Sequence, residues 1–126
     1  MNSSIVVVTP PDDFLRDGLR ILTYDLTPAQ SKLVSDAISK FSDLPPTIIY
    51  VAKMTDDPSW IVDKKQKSSI IILNAESEDQ TMVGYLASNF NSYYFGVLRS
   101  IGEINTSEIF SIENIEQLME KVIGRQ

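Results

Sequence analysis

Ser69-Ile70-Ile71-Ile72-Leu73-Asn74, then Ala75-Glu76-Ser77-Glu78-Asp79, then Gln80-Thr81-Met82-Val83-Gly84-Tyr85-Leu86-Ala87, and finally Tyr93-Tyr94-Phe95-Gly96-Val97-Leu98 read in turn as strand, loop, helix and strand. The first run is apolar without alternation, which suits a strand covered on both faces. Ser77 with Gln80 forms a capping-box pattern, and Met82, Val83, Leu86, Ala87 and Phe90 recur at helical spacing. The stretch is a βαβ unit, which implies parallel strands joined by a right-handed crossover.

The same grammar extends in both directions. Upstream, Thr27-Pro28-Ala29-Gln30 is a helix start, with Leu33, Val34, Ala37, Ile38 and Phe41 on one face. Residues 47–52 form a continuous apolar strand, and Asp57-Pro58 opens a short helix to about Gln66. Residues 5–8 and 19–26 are further strands, and the polar loop between them suits a broad hairpin or a single turn at residues 13–16. Downstream, residues 108–110 offer a short edge strand. Ser111 then caps a last helix carrying Ile112, Ile115, Leu118, Met119, Val122 and Ile123, stopped by Gly124. The expected fold is a single α/β domain over residues 1–126: a three-layer sandwich with a mostly parallel sheet, flavodoxin- or Rossmann-like, with an N-terminal hairpin.

Composition narrows the chemistry. A chain of 126 residues, 43% apolar, holds one domain with a core. Seventeen acidic against 11 basic side chains give a net charge of −6, which disfavours nucleic acid as a partner. The cluster Lys64, Lys65 and Lys67 reads as the solvated end of a helix, where cations suit the macrodipole. Without Cys or His there is no thiol nucleophile and no Ser-His-Asp triad, and no metal or cofactor is expected. No apolar run approaches the ~20 residues of a membrane span, and the first eight residues lack the pattern of a signal peptide. A reducing, cytoplasmic location is expected.

The five glycines, at 18, 84, 96, 102 and 124, never bracket a strand-to-helix turn, so no phosphate-cradling loop is present. Asp12 and Asp13 after the first strand suit a receiver-type metal site, but the central strand 47–52 ends in Ala52-Lys53 instead of the aspartate such a site needs, and Leu98 is followed by Arg99 instead of its lysine. Glu78 and Asp79 sit in a helix's first turn, where acids favour the dipole whatever else they do. Gly96 marks a close approach by a backbone or a bulky neighbour. Trp60 reads as packing its helix on the sheet, with base stacking as the other reading.

Residues 68–98 resemble the nucleoside deoxyribosyltransferase-like and TIR-like superfamily: a strand ending at Asn74, a helix carrying Met82-Val83-Gly84-Tyr85-Leu86-Ala87, then Asn91-Ser92-Tyr93-Tyr94-Phe95-Gly96. Asp63 resembles the acid that family carries ahead of the strand. Where the family's pattern has its nucleophilic Glu, this chain has Met82, and a thioether cannot form a glycosyl ester. The resemblance therefore implies a nucleoside pocket without its nucleophile, unless Glu76 or Glu78 substitutes for it.

Two functional expectations follow. One is a non-catalytic interaction module that binds a protein partner or self-associates, with Tyr93, Tyr94 and Phe110 as interface candidates. The chain's Asn, Ile, Ser and Lys usage suits a small accessory or host-modulating factor of phage type. The other is a nucleoside- or nucleotide-binding protein, or an atypical N-glycosidic enzyme, with Asn74, Glu76, Glu78, Tyr85, Asp56 and Asp57 converging on one cleft.

Overall fold

The computed structural model describes residues 5–11, 18–40, 46–87 and 92–96, together with the backbone of 109–111. The elements are β1 (Ile5–Val8), β2 (Leu19–Tyr24), α1 (Pro28–Ser39), β3 (Thr47–Ala52), α2 (Pro58–Lys67), β4 (Ile70–Asn74), α3 (Gln80–Ala87), β5 (Ser92–Phe95) and β6 (Ile109–Ser111). The six strands form one sheet in the order β1-β3-β2-β4-β5-β6, with every described pairing parallel. Without β1 this is the flavodoxin order, and β1 extends the sheet beyond β3.

The expected N-terminal hairpin is not formed. β1 and β2 flank β3 on opposite sides, with Ile5 and Leu19 both opposite Thr47. The physical reason lies in β3, whose unbroken Thr-Ile-Ile-Tyr-Val-Ala run is apolar on both faces and needs a neighbour along each edge. The predicted last helix and the ends of the 82–90 and 93–98 segments lie outside the described residues.

Alternation along each strand sends side chains to two cores. One core joins α1, through Val34, Ala37 and Ile38, to Ile21, Ile49, Ile70, Ile72, Tyr93 and Phe95. The other joins α2 and α3, through Ile61, Val83, Leu86 and Ala87, to Leu22, Tyr24, Ile48, Tyr50, Ile71 and Leu73. Each fully buried Ile or Leu contributes about 1.5–3 kcal/mol, so the paired faces account for the sheet's central position.

Caps fix where the helices begin. Thr27 Oγ1 accepts from the Gln30 amide at 3.1 Å, and Gln30 Oε1 accepts from the Thr27 amide at 3.0 Å, closing the predicted box. α3 starts differently from its sequence pattern. Asp79 Oδ1 accepts from the Met82 amide at 3.0 Å and acts as the cap, while the Gln80 side chain donates to the Ala75 and Ser77 carbonyls.

Lys64 corrects a second expectation. It is not solvated: it lies on the inward face of α2 one turn after Ile61, 1% exposed. Its Nζ is 5.3 Å from the Tyr50 ring centre and 5.5 Å from that of Trp60, and it pairs with Asp63 at 2.8 Å. Trp60 packs edge-on to Tyr50 in the same core, which bears out the packing reading. Among the described residues, no helix is long and apolar enough to cross a membrane.

Candidate functional site

In a sheet of this order ligands lie beyond the carboxyl ends of the strands, at the point where the order reverses. Here that crevice falls between β2 and β4. Asp25, just past β2, adopts a left-handed conformation with φ of 51°, which costs a non-glycine residue about 1–2 kcal/mol. It is held from both sides: its amide donates to the Ala52 carbonyl at 2.8 Å, and its carbonyl accepts from Asn74 Nδ2 at 3.1 Å. Asp25 escaped the sequence reading because the second strand was extended to Leu26, which hid the strand end; an Asp closing an apolar run was the available signal.

The predicted residues do not all meet. Asn74 lies at the crevice, its Oδ1 accepting from the Glu76 amide at 3.0 Å. Glu76 is exposed, and its side chain crosses Gly96, where an added Cβ would stand 2.9 Å from Glu76 Cγ. That contact is the close approach expected at Gly96, whose φ of +89° also requires glycine. Glu78 is exposed on the same loop.

Asp56 and Asp57 lie at the end of β3, separated from the end of β4 by β2, and so by about 10 Å of sheet. Both serve their own loop. Asp56 Oδ2 accepts from the Lys53 amide at 2.7 Å. Asp57 caps α2 by accepting from the Ser59 amide and hydroxyl, and those hydrogen bonds hold its carboxyl below the ordinary carboxylate range.

Tyr85 stands apart, exposed on α3 with Lys65 Nζ 4.4 Å from its ring centre. Met82, at the position the resembled family gives to its nucleophile, is partly buried against the core beneath α2 and α3. Of the interface candidates, Tyr93 is 5% exposed in the α1-side core and is not a surface residue. Tyr94 is partly buried against the opposite core, and the Phe110 side chain lies outside the described residues.

The crevice is acidic. The buried Tyr24 phenol is 3.5 Å from Asp79 Oδ2. Its pKa is pushed up to about 12, first by burial and then by the charges of Asp79 and Asp25. Such a field repels phosphate and leaves Tyr24 a neutral donor. Among the described residues, no group of three acids is placed to hold a metal ion.

Tyr24 also yields a pH prediction. The folded phenol titrates near 12 against an ordinary value of 10, so its contribution is complete below pH 10 and lost as pH rises through 12. Urea unfolding across that window should lose stability more steeply in the wild type than in Tyr24→Phe; parallel curves would contradict the assignment.

A second feature lies at the opposite margin. On the α1 side of the sheet, a trough runs between α1 and strands β3 and β1. Its inner lobe, about 130 Å³, is lined by Val7, Leu26, Val34, Ile49 and Val51 with Ser31 and Ser35. Its outer lobe, about 310 Å³, shares Leu26, Ser31 and Val51 and opens at Pro28, Ala52 and Lys53. Val7, on the outermost strand, is 58% exposed.

Compared with known proteins, the chain matches no family model and no curated protein.

Proposed function

We propose that the chain is a small α/β interaction module that holds a protein partner at its β1 margin and performs no catalysis of its own. The observation that carries this reading is the pairing of an outermost strand, Ile5–Val8, uncharged and β-branched throughout, with an apolar trough on the same side as its exposed Val7. Natural sheets guard their edges with charge or irregularity, and among the described residues β1 is limited by Pro10 and Pro11 after its end. The commitment of Asp56, Asp57 and Asp79 to caps and loop bonds points the same way, since it leaves those carboxylates little freedom for acid–base work. Absence of cysteine suits work in the reducing cytoplasm.

A two-hybrid screen in the cells that carry the chain tests the proposal. The partner it finds should be lost with Val7→Lys and kept with Asn74→Ala. The reverse pattern would sink the reading.

A second reading, a nucleoside pocket of deoxyribosyltransferase type, is favoured by one observation: the strained Asp25 beside Asn74 at the switch point. It expects deoxynucleosides to raise the melting temperature and Asp25→Ala to abolish that rise.

A further inference from the structure

We infer that the partner offers an extended segment, joined to the sheet outside β1, that sets an apolar side chain in the trough and a carboxylate against Lys53. This rests on the β1 reading and adds the chemistry of the ligand.

Secondary structure decides between a strand and a helix as the guest. Among the described residues β1 pairs with β3 along one side only, so alternate residues of Ile5–Val8 direct their amides and carbonyls outward. A helix laid over the trough would leave those groups to water and gain no hydrogen bond from them. An added strand satisfies them, and its alternate side chains fall on the trough side beside Val7.

Charge selects among strands. Among the described residues the trough lining carries one charged side chain, the exposed Lys53, and no carboxylate. The amino end of α1, at Pro28, lies at the same mouth and adds the positive end of its dipole. Lys53 and this helix end suit an Asp or Glu at the mouth, with the Asp56 carboxylate already committed to the Lys53 amide at 2.7 Å. The inner lobe takes an aliphatic or aromatic side chain between Val7, Leu26 and Val51.

A second copy fits less well. A two-fold axis through β1 keeps each sheet face on its own side, so Val7 would meet only Ile5 or Val7 of the other copy. Those short branched side chains leave the trough open. A joint of four residues also falls well short of the ~1,200–2,000 Å² of a stable interface, and both copies carry a charge of −6.

The test selects a displayed library of random peptides on the full chain and measures binding of synthetic winners to variants. Winners should combine an acidic residue with a large apolar one. Val7→Asp and Ser31→Glu, both at exposed positions, should each weaken binding about tenfold or more while the unfolding midpoint stays in place. Selection on Lys53→Glu should return basic peptides. Winners that need Val7 but ignore Lys53 would overturn the carboxylate inference and leave the β1 reading standing. Winners indifferent to Val7, Ser31 and Lys53 would overturn both. Sedimentation that finds a dimer broken by Val7→Asp would give the edge to a second copy and overturn the peptide as its occupant.

Discussion

Gly18→Ala is expected to destabilise the fold by roughly 3 kcal/mol or more, the sum of left-handed strain and overpacking. Gly18 precedes β2 with φ of +152°, and a Cβ there would lie 2.2 Å from the Pro46 carbonyl oxygen and 3.1 Å from its carbon. Both atoms are backbone, so no side-chain rotation relieves the contact. The same carbonyl accepts from the Leu19 amide at 2.8 Å, the bond that starts β2 alongside β3. Displacing Pro46 therefore disturbs the central strand pair at its first rung. Against a typical total of 5–15 kcal/mol the loss is large. Urea unfolding measures it, and a midpoint unchanged from wild type would contradict the placement of Gly18 against Pro46.

Lys64 supports a paired prediction of opposite signs. Its stem fills space in the α2-side core, 1% exposed, while its ammonium reaches Asp63 at 2.8 Å. Lys64→Met keeps most of the volume and removes a buried charge whose desolvation opposes folding, so stability should hold or rise by up to roughly 1–4 kcal/mol. Lys64→Ala empties the site beneath Tyr50 and Trp60 and should cost roughly 2–4 kcal/mol. Tyr50 Oη and Trp60 Nε1 are buried without hydrogen-bond partners, so apolar replacement of the ammonium takes no bond from either. Equal losses in both variants would mean that the charge, rather than the stem, holds this core together.

These two residues also mark the border of what sequence reading could reach. Helix starts at Thr27 and Asp57 were legible because capping is local: a side-chain oxygen and a nearby amide suffice. Strands β3 and β4 were legible because an unbroken apolar run has few other homes. Strand order was not local. A polar loop between two short strands suits a hairpin equally well, and only the need of β3 for two neighbours separates β1 from β2.

Lys64 was misread for a related reason. Residue type suggested solvent, while the position three residues after Ile61 placed it inward, and the longer-range fit to Tyr50 and Trp60 settled the matter. Asn74 and Glu76 could be placed at a strand's carboxyl end because they follow an obvious strand. Asp25 was missed because β2 ends two residues before its apolar pattern does. Tyr93 was misplaced because residue type does not reveal which neighbouring element covers a side chain, and Tyr85 because the helix pattern does not reveal which way its exposed face looks. The trough had no sequence signal, since Val7, Leu26 and Val51 come from three segments that only the sheet brings together.

Amide hydrogen exchange, measured on the free protein and on its complex with a selected peptide, tests the central claim most directly. The account predicts new protection at alternate amides of Ile5–Val8, on the side facing away from β3, with the Asn74 to Asp79 loop unchanged. Protection gained at Asp25 and the Asn74 to Asp79 loop, with β1 exchanging as before, would contradict it and move the binding site to the β2/β4 crevice.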